Sequence, residues 1–296
     1  MAYKRTSTAP TRDIYAEVTN RIIADLENGI CAWSRPWGST GAGVGMPCNA
    51  ITSRPYSGVN VLILWGAMQD QGFTSSRWAT FKQAADAGAN VRKGSKGTTI
   101  VYASTFVPEA ERAKGDDAKA VAFLKSFTVF NLDQLDNADH LRGEPVTVST
   151  DDFADTIRAL SPVPVRHGGD KAFYSPSADF VQMPALAAFS DPLDYSRTLA
   201  HEMVHSTGHA SRLDRTFGKK FADPHYAREE LCAELGAAFI CAAHGVQPVT
   251  RHADYLGHWI AVIKEDNRAI FKAASAASKA ADYILTHEPA EALLAA

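Results

Sequence analysis

The stretch His201-Glu202-Met203-Val204-His205 decides how the second half of this 296-residue chain is read. A helix turns about 100° per residue, so side chains four apart share a face and both imidazoles can reach one cation. Glu202 then stands beside the water such a cation carries. It can take that water's proton, because the metal lowers the water's pKa to roughly 7. The flanks support a helix: Ser190-Asp191-Pro192 reads as an N-cap with proline in the first turn, Leu193, Leu199, Ala200, Met203 and Val204 form an apolar face, and Gly208 can end it.

A catalytic zinc takes a third protein ligand and keeps one position open. In metzincins the motif continues G-x-x-H. Gly208 falls on the glycine position, but Ser211 occupies the histidine position and His209 comes two residues early. A glutamate from a second helix, as in gluzincins, is the better expectation. The segment Tyr226 to Phe239 is helical by composition and carries Glu229, Glu230 and Glu234, with small residues at 233, 236 and 237 that let it lie close to the first helix. Glu230 is the expected ligand, with Glu234 one turn on to accept a ligand histidine's other N–H. Glu229 is the close alternative, nearer the face of Gly236 and Ile240.

With 46% hydrophobic and 21% charged residues, the composition is that of a soluble globular protein long enough for two domains. No apolar run reaches about 18 residues, and Met1-Ala2-Tyr3-Lys4-Arg5 leads into no apolar signal, so a cytoplasmic location without membrane partners is expected. Cys31, Cys48, Cys232 and Cys241 lack metal-type C-x-x-C spacing and are expected as reduced thiols. The net charge of −3 hides an asymmetry: residues 1–100 hold eleven Lys/Arg against six Asp/Glu, and residues 146–296 hold fourteen against nineteen. A polyanion-binding surface therefore belongs to the first half.

Along the chain, Ile14, Val18, Ile22, Ile23 and Leu26 mark a first helix that stops at Gly29. Trp33-Ser34-Arg35-Pro36-Trp37 then leads into a glycine-rich loop, and its tryptophans can be core anchors or base-stacking rings around a cation. Arg54 to Gly58, with Tyr56, forms a turn into a helix that ends near Gly72. Arg77 to Asp86, with Trp78, reads as another short helix. Arg92-Lys93-Gly94-Ser95-Lys96-Gly97 is a basic, glycine-bearing loop suited to tracking phosphates. Strands at 99–107 and 123–130 complete a small antiparallel sheet, with the charged passage 108–120 between them. The linker is placed in 131–150, giving domains at 1–140 and 150–296. After a helix near 151–160, residues 172–184 read as strand, turn, strand, an edge able to hold an extended peptide. The final third is helical, with an apolar stripe from Tyr255 to Ile284. Neither a dinucleotide fingerprint nor a P-loop is present, which argues against an ATP-driven machine.

Trp33 to Trp37, Tyr56 to Asn60, Trp78 to Lys96 and Phe127 to Asn131 together resemble the N-terminal single-stranded-DNA-binding domain of ArdC antirestriction proteins. His201 to Leu213, Tyr226 to Phe239 and the closing helix resemble that family's zincin-type metallopeptidase domain. The resemblance spans nearly the whole chain. It implies an α+β protein of two domains, a small antiparallel-sheet DNA-binding domain and a mainly helical zincin-like one. It also implies a conjugative-plasmid protein that shields incoming DNA from restriction, with His201 and His205 as ligands to Zn2+ (or Mn2+ or Co2+) and Glu202 as general base.

The leading expectation is thus a monomeric, DNA-associated metallopeptidase acting on a protein substrate linked to restriction. Its strand contacts are expected from Trp33, Arg35, Trp37, Tyr56, Trp78, Arg92, Lys93 and Lys96. His209, Tyr226 and His258 are the candidate oxyanion donors. The competing expectations are a binding protein whose metal site is structural or vestigial, and a metal-dependent nuclease, which the single His-rich site suits poorly.

Overall fold

The computed structural model describes residues 13–33, 45–106, 109, 121–143, 152–217, 224–249 and 256–287. The glycine-rich stretch 38–43, most of the passage 108–120, the end of the expected linker at 144–150 and Tyr255 lie outside them. The chain folds as two α+β units joined by one continuous core.

In the first unit, α1 (Ile14–Glu27) starts where the Asp13 carboxylate accepts from the Ala16 N–H, and it buries Ile22, Ile23 and Leu26. The next helix, α2 (Val59–Gln71), is apolar on every side and is buried from Val61 to Met68, so it can only be a central element. Around it lies a sheet whose strands, β1 (Cys48–Asn49), β2 (Arg77–Thr80), β4 (Thr98–Phe106) and β5 (Val121–Asn131), run in the order β1-β2-β5-β4. It is antiparallel except for the two-residue β1, which pairs parallel to β2. A separate short pair joins β3 (Asn90–Val91) to β6 (Leu135–Asp136). At the β4 edge, the Asn60 amide donates to the Val101 carbonyl at 2.7 Å and accepts from the Val101 N–H at 2.8 Å. One side chain thereby occupies both main-chain groups that a further strand would take.

The helix expected over Arg77 to Asp86 is instead a strand followed by α3 (Phe81–Asp86). Trp78 and Ala79 pair with Asn131 and Phe130, and Thr80 with Gln83 forms a capping box that starts the helix only there.

The second unit opens with α4 (Phe153–Ala159) and a three-stranded sheet of β7 (Val165–His167), β9 (Phe180–Met183) and β8 (Phe173–Ser175), in that order. Strand β8 is thus an edge. Helix α5 (Pro192–Thr207) follows, capped by Asp191 through the Leu193 N–H, with Pro192 in its first turn and Gly208 at its end. Then come α6 (Pro224–Ala243), α7 (Leu256–Glu265) and α8 (Ala269–Leu285).

Helices α5 and α6 are in close contact at Val204 and Gly236. A Cβ on Gly236 would stand 2.8 Å from Val204 Cγ2 and 3.0 Å from Cγ1. Valine on a helix has essentially one rotamer, so it has little room to yield. Gly236→Ala is therefore expected to lose about 1–2 kcal/mol despite its better helix propensity, because overpacking outweighs the gain of about 1 kcal/mol. Urea denaturation measures this. A more stable variant would show that the two helices separate freely.

Candidate metal centre and its cleft

On α5, His201 and His205 lie one turn apart with their Nε2 atoms 3.1 Å from each other. From α6, Glu230 brings one carboxylate oxygen to 3.6 Å from His201 Nε2 and the other to 3.5 Å from His205 Nε2. One donor atom from each of the three residues lies within 4.8 Å of the others. A tetrahedral ion bound at about 2.0–2.1 Å keeps its donors roughly 3.3–3.4 Å apart, so this triangle needs only small adjustments to hold one. The donor set and spacing fit a divalent cation.

The surrounding groups hold these donors in place. His201 Nδ1 lies 3.6 Å from the Glu234 carboxylate, and His205 Nδ1 lies 3.2 Å from Glu229. Arg215 clamps Glu229 with two bonds of 3.0 and 2.7 Å, and it also donates to the Val204 carbonyl and to Thr207 Oγ1, each at 2.7 Å. His201, Glu229, Glu230 and Glu234 are all buried. Burial alone disfavours the imidazolium of His201, yet Glu230 and Glu234 outweigh it and hold that group's pKa above its usual value. Burial likewise opposes ionisation of Glu230. The two histidines outweigh it and keep this carboxyl ionised. Such a cluster of anionic and imidazole donors, costly to bury unpaired, is a cradle for a cation.

Glu202 faces the same space and accepts from the Tyr174 N–H at 2.9 Å, which ties it to edge strand β8. Between them opens a cleft of about 390 Å³, lined by both histidines, Glu202, Glu230, Tyr226 and residues of the β8 segment.

Residues 152–276 match the model of a zincin-like metallopeptidase domain, and residues 12–130 match that of the N-terminal domain of anti-restriction factor ArdC. A crystal structure of the metal-free antirestriction ArdC protein from plasmid R388 superposes with a TM-score of 0.78 at 38% identity, covering 93% of this chain and 97% of that one.

The chain belongs to the ArdC family of antirestriction proteins.

The Mn(II)-bound form of the R388 protein gives a TM-score of 0.76 at 37% identity, with the same coverage. The uncharacterized protein y4eC of Sinorhizobium fredii is 37% identical over 96% of this chain and 95% of its own length. A DNA primase TraC of Escherichia coli is 36% identical over 94% of this chain, which spans 27% of that longer protein. The family's fold, two α+β units with a zincin-like second half, is therefore present here.

The expected DNA-contacting residues separate into groups. Trp33 and Trp78 are corrected to core anchors. Trp33 is buried against Trp259, with ring centroids 6.1 Å apart, and Trp78 is buried edge-on against Phe73 at 5.8 Å, so neither presents a ring face to a base. Arg35 and Trp37 lie outside the described residues. Tyr56 is half-buried at the edge of the core. Arg92 ties its loop to the β3-β6 corner through the carbonyls of Asp133 and Leu135 and an ion pair with Asp136, while Lys93 and Lys96 remain exposed. Sequence reasoning passed over Phe81, Tyr102 and Phe127, which are 63%, 53% and 47% exposed. Phe127 shares its face of β5 with the buried Val129, and residues 125–128 are all exposed, so the period of two gives no signal that would have found it.

Among the oxyanion candidates, Tyr226 lines the cleft and donates its hydroxyl to Glu230. His209 bonds Ser211 instead, and His258 sits on the exposed side of α7. Neither lines the cleft.

A second network fixes the β8–β9 turn beside the site. Arg212 donates to both oxygens of Asp179, to the Tyr174 hydroxyl at 3.1 Å and to the Ser206 carbonyl at 2.7 Å. The Arg212 hydrogen bonds are the main reason the Asp179 carboxyl is held down at about 2. A depressed carboxyl stabilises the fold above its ordinary pKa and loses that contribution as pH falls through its folded value. Arg212→Ala is expected to return the Asp179 pKa, read by NMR titration, towards the usual 3.8. It should also cost roughly 1–2 kcal/mol in denaturant unfolding, because the Ser206 carbonyl and the Tyr174 hydroxyl lose a donor, while the pair with the partly exposed Asp179 is screened by solvent. An unmoved Asp179 would show that Arg212 does not hold the turn.

Proposed function

We propose that this chain is a single-stranded-DNA-binding antirestriction protein whose second half is a metal-dependent peptidase. The observation that carries the reading is the placement of Glu202 beside the His201, His205 and Glu230 donors, at a cleft bordered by the free edge of β8. His201, His205 and Glu230 would hold the cation, taken to be Zn2+, with Mn2+ as in the R388 relative or Co2+ as substitutes. A bound divalent ion polarises a carbonyl and acidifies water.

The remaining work falls to the chain's own groups. Glu202 takes the proton of the attacking water and passes it to the leaving amine. Glu234 and Glu229 fix the orientation of the two imidazoles. The Tyr226 hydroxyl, which donates to Glu230, would turn from that carboxylate to the oxygen on which negative charge develops. With the Tyr174 N–H taken by Glu202, the remaining outward main chain of β8 can pair with an extended substrate, so a peptide would lie along the edge from Phe173 to Ser175.

For the first half, Lys93 and Lys96 supply charge for phosphates, and the exposed rings of Tyr102 and Phe127 supply faces for bases. Their ring centroids are 6.4 Å apart on neighbouring strands. Protection of incoming DNA would follow from a peptidase kept on that DNA and directed at a restriction-related protein.

Glu202→Gln is expected to retain metal and DNA binding while peptide hydrolysis falls by about 10²–10⁴-fold. Hydrolysis unchanged in that variant removes Glu202 from the mechanism. His201→Ala should lose the metal, as read by elemental analysis of the purified chain. Lys93→Ala with Lys96→Ala should weaken oligonucleotide binding and flatten its log–log salt slope by about 1.4. Tyr102→Ala with Phe127→Ala should weaken binding while leaving the slope in place. Four substitutions without effect would move the DNA surface elsewhere.

A further inference from the structure

A second cleft, of about 540 Å³, opens between α1 and α8, with Arg215 in its lining. Its walls carry Tyr15 from α1, Phe271, Lys272 and Lys279 from α8, and Arg268 just before α8, with Arg215 completing the lining. The volume exceeds the roughly 300 Å³ at which a small-molecule pocket begins. The lining is aromatic and cationic: Tyr15 and Phe271, half-buried with ring centroids 4.6 Å apart, the Arg268 guanidinium over Tyr15, and two lysines. Lys272 pairs with Asp266 at 3.0 Å, whereas Lys279 is exposed and has no acidic partner among the described residues.

Arg215 makes this cleft more than a basic surface. Its guanidinium has five N–H donors, and four are committed: two to Glu229, one to the Val204 carbonyl and one to Thr207. One Nη1 N–H has no acceptor among the described residues, and Arg215 is part of the cleft's lining. The same guanidinium, through Glu229, reaches the Nδ1 of His205. The α1–α8 cleft and the metal donors therefore share one residue.

We propose that the α1–α8 cleft binds a phosphate and base of single-stranded DNA and, through Arg215, Glu229 and His205, sets the affinity of the metal centre. The proposal rests on the DNA-binding and metal-binding reading above. A phosphate drawing on Arg215 shares the positive charge that now neutralises Glu229. The negative charge of Glu229 beside the metal donors is then less compensated, so a cation between α5 and α6 is held more tightly. Strand binding thus tightens the metal, and linkage requires the metal to tighten the strand by the same factor.

The test uses the full chain and a labelled twenty-nucleotide thymidine strand, with metal affinity read by competition with a chelating dye. The strand is expected to raise Zn2+ or Mn2+ affinity at least about fivefold, the low end of typical coupling between sites. Lys272→Glu with Lys279→Glu, both on exposed positions, should abolish that coupling while the strand still binds through the first half. Arg215→Lys, which keeps the charge and loses the fork, should also abolish it. Coupling that survives the double charge reversal, or metal affinity unchanged by a bound strand, overturns the proposal and leaves the peptidase reading standing. Full coupling by inorganic phosphate or thymidine monophosphate alone overturns the assignment to a strand. A wild-type chain that binds no strand at all takes down the DNA-binding reading, and this proposal with it.

Discussion

The close packing of α6 on α5, where Gly236 leaves room for Val204, is the constraint on which the site depends. It brings two helical faces together so that residues one turn apart on each interlock: His201 and His205 on one, Glu230 and Glu234 on the other. All but His205 are buried, and isolated charges there would be prohibitively expensive. They are tolerated because each faces an oppositely charged or polar partner on the opposite helix. Arg215 closes the set by tying Glu229 to the carbonyl of Val204, one residue before His205.

The two halves of the protein are held by the same kind of packing. Trp65 of α2 meets Phe239 of α6 with ring centroids 5.7 Å apart, and Trp33 meets Trp259 of α7. The N–H of Gly58, at the start of α2, donates to Ser278 Oγ on α8 at 2.8 Å, and Thr19 Oγ1 donates to the Asn267 carbonyl at 2.7 Å. Trp33, which a DNA-binding reading claims for stacking, is in fact used to join the units, and Trp78 is packed on Phe73 inside the first. A ligand on α1 is accordingly only a few contacts from the helices that carry the metal donors.

Much of this arrangement is legible in the sequence. Helix α5 could be read with its bounds because it carries its own punctuation, Asp191 and Pro192 at the start and Gly208 at the end. Glu229 and Glu230 could not be separated, because adjacent helical residues differ by about 100° and both can turn towards α5. What separates them is Arg215, fourteen residues from Glu229 in sequence, which takes Glu229 and leaves Glu230 to face both Nε2 atoms. The strand β2 was misread because two apolar residues, Trp78 and Ala79, satisfy either period. The Thr80-x-x-Gln83 box that marks the true helix start was present in the sequence. Burial of Trp33 and Trp78 depends on partners far along the chain or across a turn, which composition does not reveal.

The most direct test of the central claim is the anomalous scattering of crystals grown with Zn2+ or Mn2+, recorded at the metal's absorption edge. One peak is expected, within about 2.0–2.2 Å of His201 Nε2, His205 Nε2 and a Glu230 oxygen, with Glu202 beside the ion but not bound to it. A peak coordinated by Glu229, or no peak between α5 and α6 at saturating metal, would contradict the account.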